Sequence, residues 1–86
     1  MKEIENYAQA LTPISDIALL LSLDCNTLRA EIKDYRSEVS LAYRRGKARC
    51  LFSLRQNEIE LAEAGSPQAS IAVQRYHQLM EDDESI

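Results

Sequence analysis

Between Pro13 and Asp34 the apolar residues fall into two short helical rhythms separated by a few polar positions. Ile14, Ile17, Ala18 and Leu21 keep the i, i+3, i+4, i+7 spacing of one buried stripe, with Pro13 near the start and Ser15 and Asp16 in the first turn. This helix is predicted to end at Ser22. A second helix, capped by Asp24 or Asn26, carries Leu28 and Ile32 inward and leaves Asn26, Thr27, Arg29 and Lys33 to project outward. Two such helices joined by a tight turn have the layout of a helix-turn-helix, whose outward residues read DNA. Ala18 suits a close helix crossing, whereas Ser22 stands where this turn often has Gly and lacks glycine's ease at positive φ. The same pattern also suits a helical hairpin whose only role is to make a core.

The flanking segments are helical as well. Ile4, Tyr7, Ala8 and Leu11 share one face of a helix predicted over 2–11, which stops at Thr12-Pro13. After Tyr35-Arg36, Ser37 can cap a helix that starts at Glu38 and meets no proline and only one glycine, Gly46, before Ala64. Ala64-Gly65-Ser66-Pro67 then supplies a left-handed C-terminal position, a cap and a first-turn proline, which together make a helical-hairpin turn. The returning helix, 68 to about 81, carries Ala69, Ala72, Val73, Tyr76, Leu79 and Met80 on one stripe and is expected to lie antiparallel along the long one.

The long helix is apolar on more than one side. Tyr43, Gly46, Cys50, Leu54 and Leu61 form one strip, and Leu41, Ala48, Phe52, Ile59 and Ala62 another. One hairpin partner cannot cover both, so Leu51, Phe52, Leu54, Ile59 and Leu61 are expected to form the seam of a homo-oligomer. A chain of 86 residues has need of such a partner, because a domain of this size buries only about 60–65% of its unfolded surface. The expected fold is all-α, with a helix-turn-helix unit over 1–36, a long antiparallel helical hairpin over 37–80 and an acidic, disordered tail over 81–86.

Charge sharpens this picture. The formal net charge is −4, but it is partitioned: residues 1–28 hold one basic and four acidic residues, 29–55 eight basic and three acidic, and 56–86 one basic and seven acidic. Arg36, Arg44, Arg45, Lys47 and Arg49 continue the basic section that begins at Arg29 and Lys33, and they are the expected phosphate contacts to double-stranded DNA. Alternatively these arginines form a solvated helix face, or pair with Glu58, Glu60 and Glu63 of a neighbouring subunit.

Cys25 and Cys50 lie far apart without a Cys-x-x-Cys pair or a nearby His, which indicates neither a zinc site nor a disulfide and fits a reducing cytosol. The polar N-terminus is no signal peptide, and the longest apolar run, 17–21, is too short to cross a membrane, so a soluble cytoplasmic protein is expected. His77, the only histidine, has no Ser or Cys nucleophile set to serve it. Asp82, Asp83 and Glu84 are consecutive and make a poor metal cage, and Gly46 lacks the preceding strand of a phosphate loop. No enzyme activity, cofactor, metal or small-molecule substrate is expected.

A helix-turn-helix, then Leu41-Ala42-Tyr43-Arg44-Arg45-Gly46-Lys47-Ala48, then Leu61-Ala62-Glu63-Ala64-Gly65-Ser66-Pro67-Gln68-Ala69, resembles the small subunit of phage terminases, the DNA-packaging proteins of tailed bacteriophages and prophages. The resemblance spans nearly the whole chain. It implies that the N-terminal motif binds the viral packaging site, with Asn26, Thr27, Arg29 and Lys33 as contacts. It further implies that the hairpin assembles ring-shaped oligomers, that the stretch after Leu79 engages the large terminase subunit, and that the protein acts in the cytoplasm of a bacterial host. In that family the large subunit carries the ATPase and nuclease, and the small subunit carries no catalysis. The alternative is a small helical transcriptional regulator or a protein-binding module, in which the same arginines pair with acidic residues of a partner.

Overall fold

Capping chemistry and apolar spacing divide the chain into five helices in the computed structural model, which describes residues 1–85: α1 (Lys2–Gln9), α2 (Ile14–Leu20), α3 (Cys25–Lys33), α4 (Glu38–Glu63) and α5 (Pro67–Glu84). Among the described residues there is no strand. The protein is all-α. Two compact units divide within α4, Met1–Cys50 and the residues from Leu51 onward.

In the first unit, Ile4 of α1, Ile17 and Ala18 of α2, Leu28 and Ile32 of α3 and Ala42 of α4 form the buried core, with Tyr7, Ile14, Leu21, Cys25, Val39 and Tyr43 packed against it. The stripes expected on α2 and α3 are thus the ones that are buried. Asp24, rather than Asn26, caps α3: its carboxylate accepts from the Thr27 backbone N–H and from the Thr27 hydroxyl, both at 2.9 Å.

Three helices end in the same way. At the ends of α1, α2 and α4 the residue after the last turn is left-handed: Leu11 at φ 58°, Ser22 at φ 56° and Gly65 at φ 101°. In each, the next N–H reaches back five residues, as from Thr12 to the Tyr7 carbonyl, from Leu23 to Ala18 and from Ser66 to Leu61. Ser22 therefore adopts the conformation for which glycine is preferred. The same turn corrects the first helix, which stops at Gln9 and not at Leu11, leaving Leu11 half exposed in the turn rather than on the buried face.

The junction between α3 and α4 is tied by hydroxyls. Ser37 Oγ accepts from the Ser40 N–H at 3.0 Å, capping α4, and donates to the Glu31 carbonyl at 2.7 Å. Ser40, fully buried, donates to the Ile32 carbonyl at 2.6 Å. The Ile32 carbonyl is thereby given a donor from α4, and the Glu31 carbonyl, which also accepts from the Asp34 N–H at 3.2 Å, gains a second, which ties the two helices together.

Helix α1 crosses α4 at Gly46. A Cβ built there would lie 2.1 Å from the Glu5 carbonyl oxygen and 3.0 Å from both the Ala8 Cβ and the Gln9 nitrogen. Only a hydrogen fits, so this glycine is set by the approach of α1's backbone. Glu5, itself buried, turns its carboxylate to Arg45 and Arg49 on either side of that crossing.

In the second unit Ser66 caps α5 by accepting from the Ala69 N–H at 3.2 Å, and Pro67 occupies the first turn. Helix α5 continues through Glu84, where a disordered tail over 81–86 was expected. Side chains one turn apart support the extension: Gln78 Nε2 donates to Asp82 Oδ1 at 2.8 Å and His77 Nε2 lies 3.0 Å from Glu81. Ile86, also assigned to that tail, lies outside the described residues.

Candidate nucleic-acid interface

Packing of Leu28 and Ile32 against α2 turns the opposite side of α3 to solvent. Asn26, Arg29 and Lys33, spaced at three and four residues, line that side, and among the described residues none of them is engaged in a side-chain hydrogen bond or ion pair. Thr27 differs. Its hydroxyl is spent on the Asp24 cap, so the residue placed with the readers serves the helix terminus. These two bonds from Thr27 hold the Asp24 carboxyl below the usual carboxylate range.

The expected phosphate contacts separate into two groups. Lys47 is exposed and unengaged among the described residues, and Arg36 reaches into solvent, its side chain 97% exposed and 3.8 Å from Asp34. A pair this exposed is strongly screened and leaves Arg36 available to an anion. Arg44, Arg45 and Arg49 are instead held by the protein. Arg45 and Arg49 flank the Glu5 carboxylate across the α1–α4 crossing. Sequence spacing gave no sign of this, because Glu5 lies 44 residues from Arg49.

Arg44 makes the most elaborate arrangement in this unit. Its Nε donates to Ser40 Oγ at 3.1 Å, its Nη2 donates to the Tyr35 carbonyl at 3.1 Å, and its guanidinium lies 4.3 Å from the centre of the Tyr35 ring. In the sequence Tyr35 stands in the connection before Ser37. The spacing Ser37, Ser40, Arg44, which puts two hydroxyls and a guanidinium in successive turns at the start of α4, is the signal that marks it.

The expected assembly seam lies in the second unit. Leu51 is half-buried, whereas Phe52 (59% exposed), Leu54, Ile59 and Leu61 are open to solvent, as are Ile71, Leu79 and Met80. Ala69 is the one fully buried residue among the described residues from 51 onward. Arg55 lies 5.3 Å from the centre of the Tyr76 ring, and a shallow groove between α4 and α5 is lined by Ile59, Val73, Tyr76, Leu79 and Met80. Charge follows the same division: residues 1–50 hold eight basic and seven acidic residues, and 51–86 two basic and seven acidic.

Cys25 and Cys50 are free thiols. Among the described residues no His, Cys, Asp or Glu group is disposed to hold a metal, and no helix is long and apolar enough to cross a membrane. The chain matches no protein-family model, no curated protein and no solved structure.

Proposed function

We propose that the protein is a DNA-packaging adaptor of the terminase small-subunit kind. In this reading α2 and α3 act as a helix-turn-helix on double-stranded DNA, and α4 and α5 form an antiparallel hairpin through which copies assemble. The end of α5 beyond Leu79 recruits a large terminase subunit, catalysis resides in that partner, and the place of action is the cytoplasm of a bacterial host. The packaging role rests on the sequence resemblance. The observation that carries the DNA-binding part is the row Asn26, Arg29 and Lys33, exposed and unengaged on a helix whose other face is fixed by Leu28 and Ile32. Such a row can enter a major groove, with the side chains nearest its start reaching base edges.

The test is binding to duplexes selected from a random pool, measured against salt. Affinity for any duplex should fall steeply as salt rises. Arg29→Ala should reduce preference for the selected site, while Lys47→Ala should weaken binding to all sequences alike and lower the salt slope by about one. If neither change alters binding, the DNA reading fails.

A small regulator or protein-binding module is the second reading, favoured by the pairing of Arg45 and Arg49 with the Glu5 carboxylate. As a protein-binding module the wild-type protein binds no duplex even at low salt; as a transcriptional regulator it binds one but stays unassembled with any large terminase subunit.

A further inference from the structure

Tyr35 is 71% exposed, yet its ring is packed against a guanidinium that is itself bonded to the protein. The buried Ser40 hydroxyl donates to the Ile32 carbonyl and accepts from Arg44 Nε, and Arg44 Nη2 fixes the Tyr35 carbonyl while its guanidinium plane covers the ring. A chain of bonds therefore runs from the end of α3 to an aromatic ring in solvent. The ring contributes nothing to the core, and a cation–π contact at so exposed a site contributes little to stability. What the arrangement does is bias the ring toward one placement before anything binds it, which lowers the entropy cost of association.

The neighbours of this phenol define its partner. Lys33 ends α3 just before it, and Arg36 follows it, almost wholly exposed. Asp34 is the acidic neighbour, and its carboxylate accepts from the Arg36 backbone N–H at 3.1 Å. The Tyr35 hydroxyl makes no hydrogen bond among the described residues, and Lys33 and Arg36 stand two positions before it and one after it in the chain; a free hydroxyl donor beside such cations suits a phosphate oxygen, and the ring suits the sugar beside it.

We infer that Tyr35, held in place by Arg44, is a contact to the sugar–phosphate backbone of duplex DNA at the end of α3. Arg44 is thus a positioning residue and not a free phosphate ligand. This rests on the DNA-binding reading above and adds to it a neutral contact that charge counting does not find.

The experiment is fluorescence-anisotropy titration of a labelled mixed-sequence duplex from low to moderate salt, with each variant checked for folding by circular dichroism. Tyr35→Phe should weaken binding about tenfold, by loss of a hydrogen bond to a charged group, and Tyr35→Ala at least as much. Because neither change removes a charge, the salt slope should stay that of wild type, whereas Arg36→Gln should lower it by about one. Arg44→Lys keeps its charge but loses the fork and the stacking plane, so it should weaken binding as Tyr35→Ala does. The double variant should be no weaker than either single one, as expected of residues acting as a unit. Wild-type-like binding by Tyr35→Ala, together with weakened binding by Arg29→Ala, would overturn the inference and leave the DNA reading standing. Failure of wild type to bind at low salt would overturn both.

Discussion

Gly46→Ala sets two physical effects against each other and fixes the sign of the result. In an exposed helix interior, glycine to alanine stabilises by about 1 kcal/mol. At position 46 the added methyl would stand 2.1 Å from the Glu5 carbonyl oxygen and 3.0 Å from the Gln9 nitrogen, both backbone atoms of α1. Neither can rotate away as a side chain could, so α1 must retreat by about 1 Å, a form of overpacking that typically costs 1–3 kcal/mol. The ceiling is complete undocking of α1, which would expose Ile4 and Ala8 at a cost of roughly 3 kcal/mol. The expected balance is a net destabilisation of about 1–2 kcal/mol, or a fall in Tm of very roughly 5–15 °C for a unit of this size. Thermal melting by circular dichroism reads it, with hydrogen exchange showing that protection is lost first in α1. Ala48→Gly, at an exposed position two residues away, is the control and should lose only the propensity amount, about 1 kcal/mol. A rise in Tm for Gly46→Ala would refute the close crossing, because it would mean that helix propensity acts there unopposed.

Other consequences can be checked on the same melting apparatus. Ser22→Gly should stabilise by about 0.5–1 kcal/mol, since it removes the left-handed strain of a residue at φ 56° at the cost of some chain entropy. Ser40→Ala should destabilise by about 1–3 kcal/mol, because it leaves the Ile32 carbonyl and Arg44 Nε without their buried partner; an unchanged Tm would remove that hydroxyl from the account. The Asp24 cap is pH-dependent in one direction. Its pKa is lowered in the folded protein, so its contribution is complete above the ordinary value of 3.8 and is lost as pH falls through the lowered folded value. Asp24→Asn keeps an acceptor at the cap and should melt with a shallower acid dependence than wild type.

The helices were legible because their signals are local. The Leu28 and Ile32 stripe, the Ser37 and Ser66 caps and the Gly65 turn each depend on residues within a few positions of one another. What stayed hidden is carried by distant or competing partners. Gly46 resembles an ordinary helix glycine until α1's backbone is placed on it, and the pairing of Arg45 and Arg49 with Glu5 joins residues some forty positions apart, which local spacing cannot reveal. Thr27 resembled a reader because the sequence left open whether Asp24 or Asn26 made the cap, and the choice of Asp24 consumed its hydroxyl. At the other end, the helix through Glu81 to Glu84 is obscured by its run of like charges, although Glu81 and Asp82 each meet a side chain one turn earlier, His77 and Gln78.

The exposed leucine, isoleucine, methionine and phenylalanine side chains of the second unit, set around a single fully buried alanine, make assembly the central claim. The direct measurement is the solution mass by light scattering of wild type and Phe52→Glu, each at low and high salt. The account predicts a defined oligomer for wild type that persists at high salt, because an apolar seam is not screened, and a smaller species for Phe52→Glu. A wild-type monomer at every salt concentration, or a Phe52→Glu protein of unchanged mass, would contradict it.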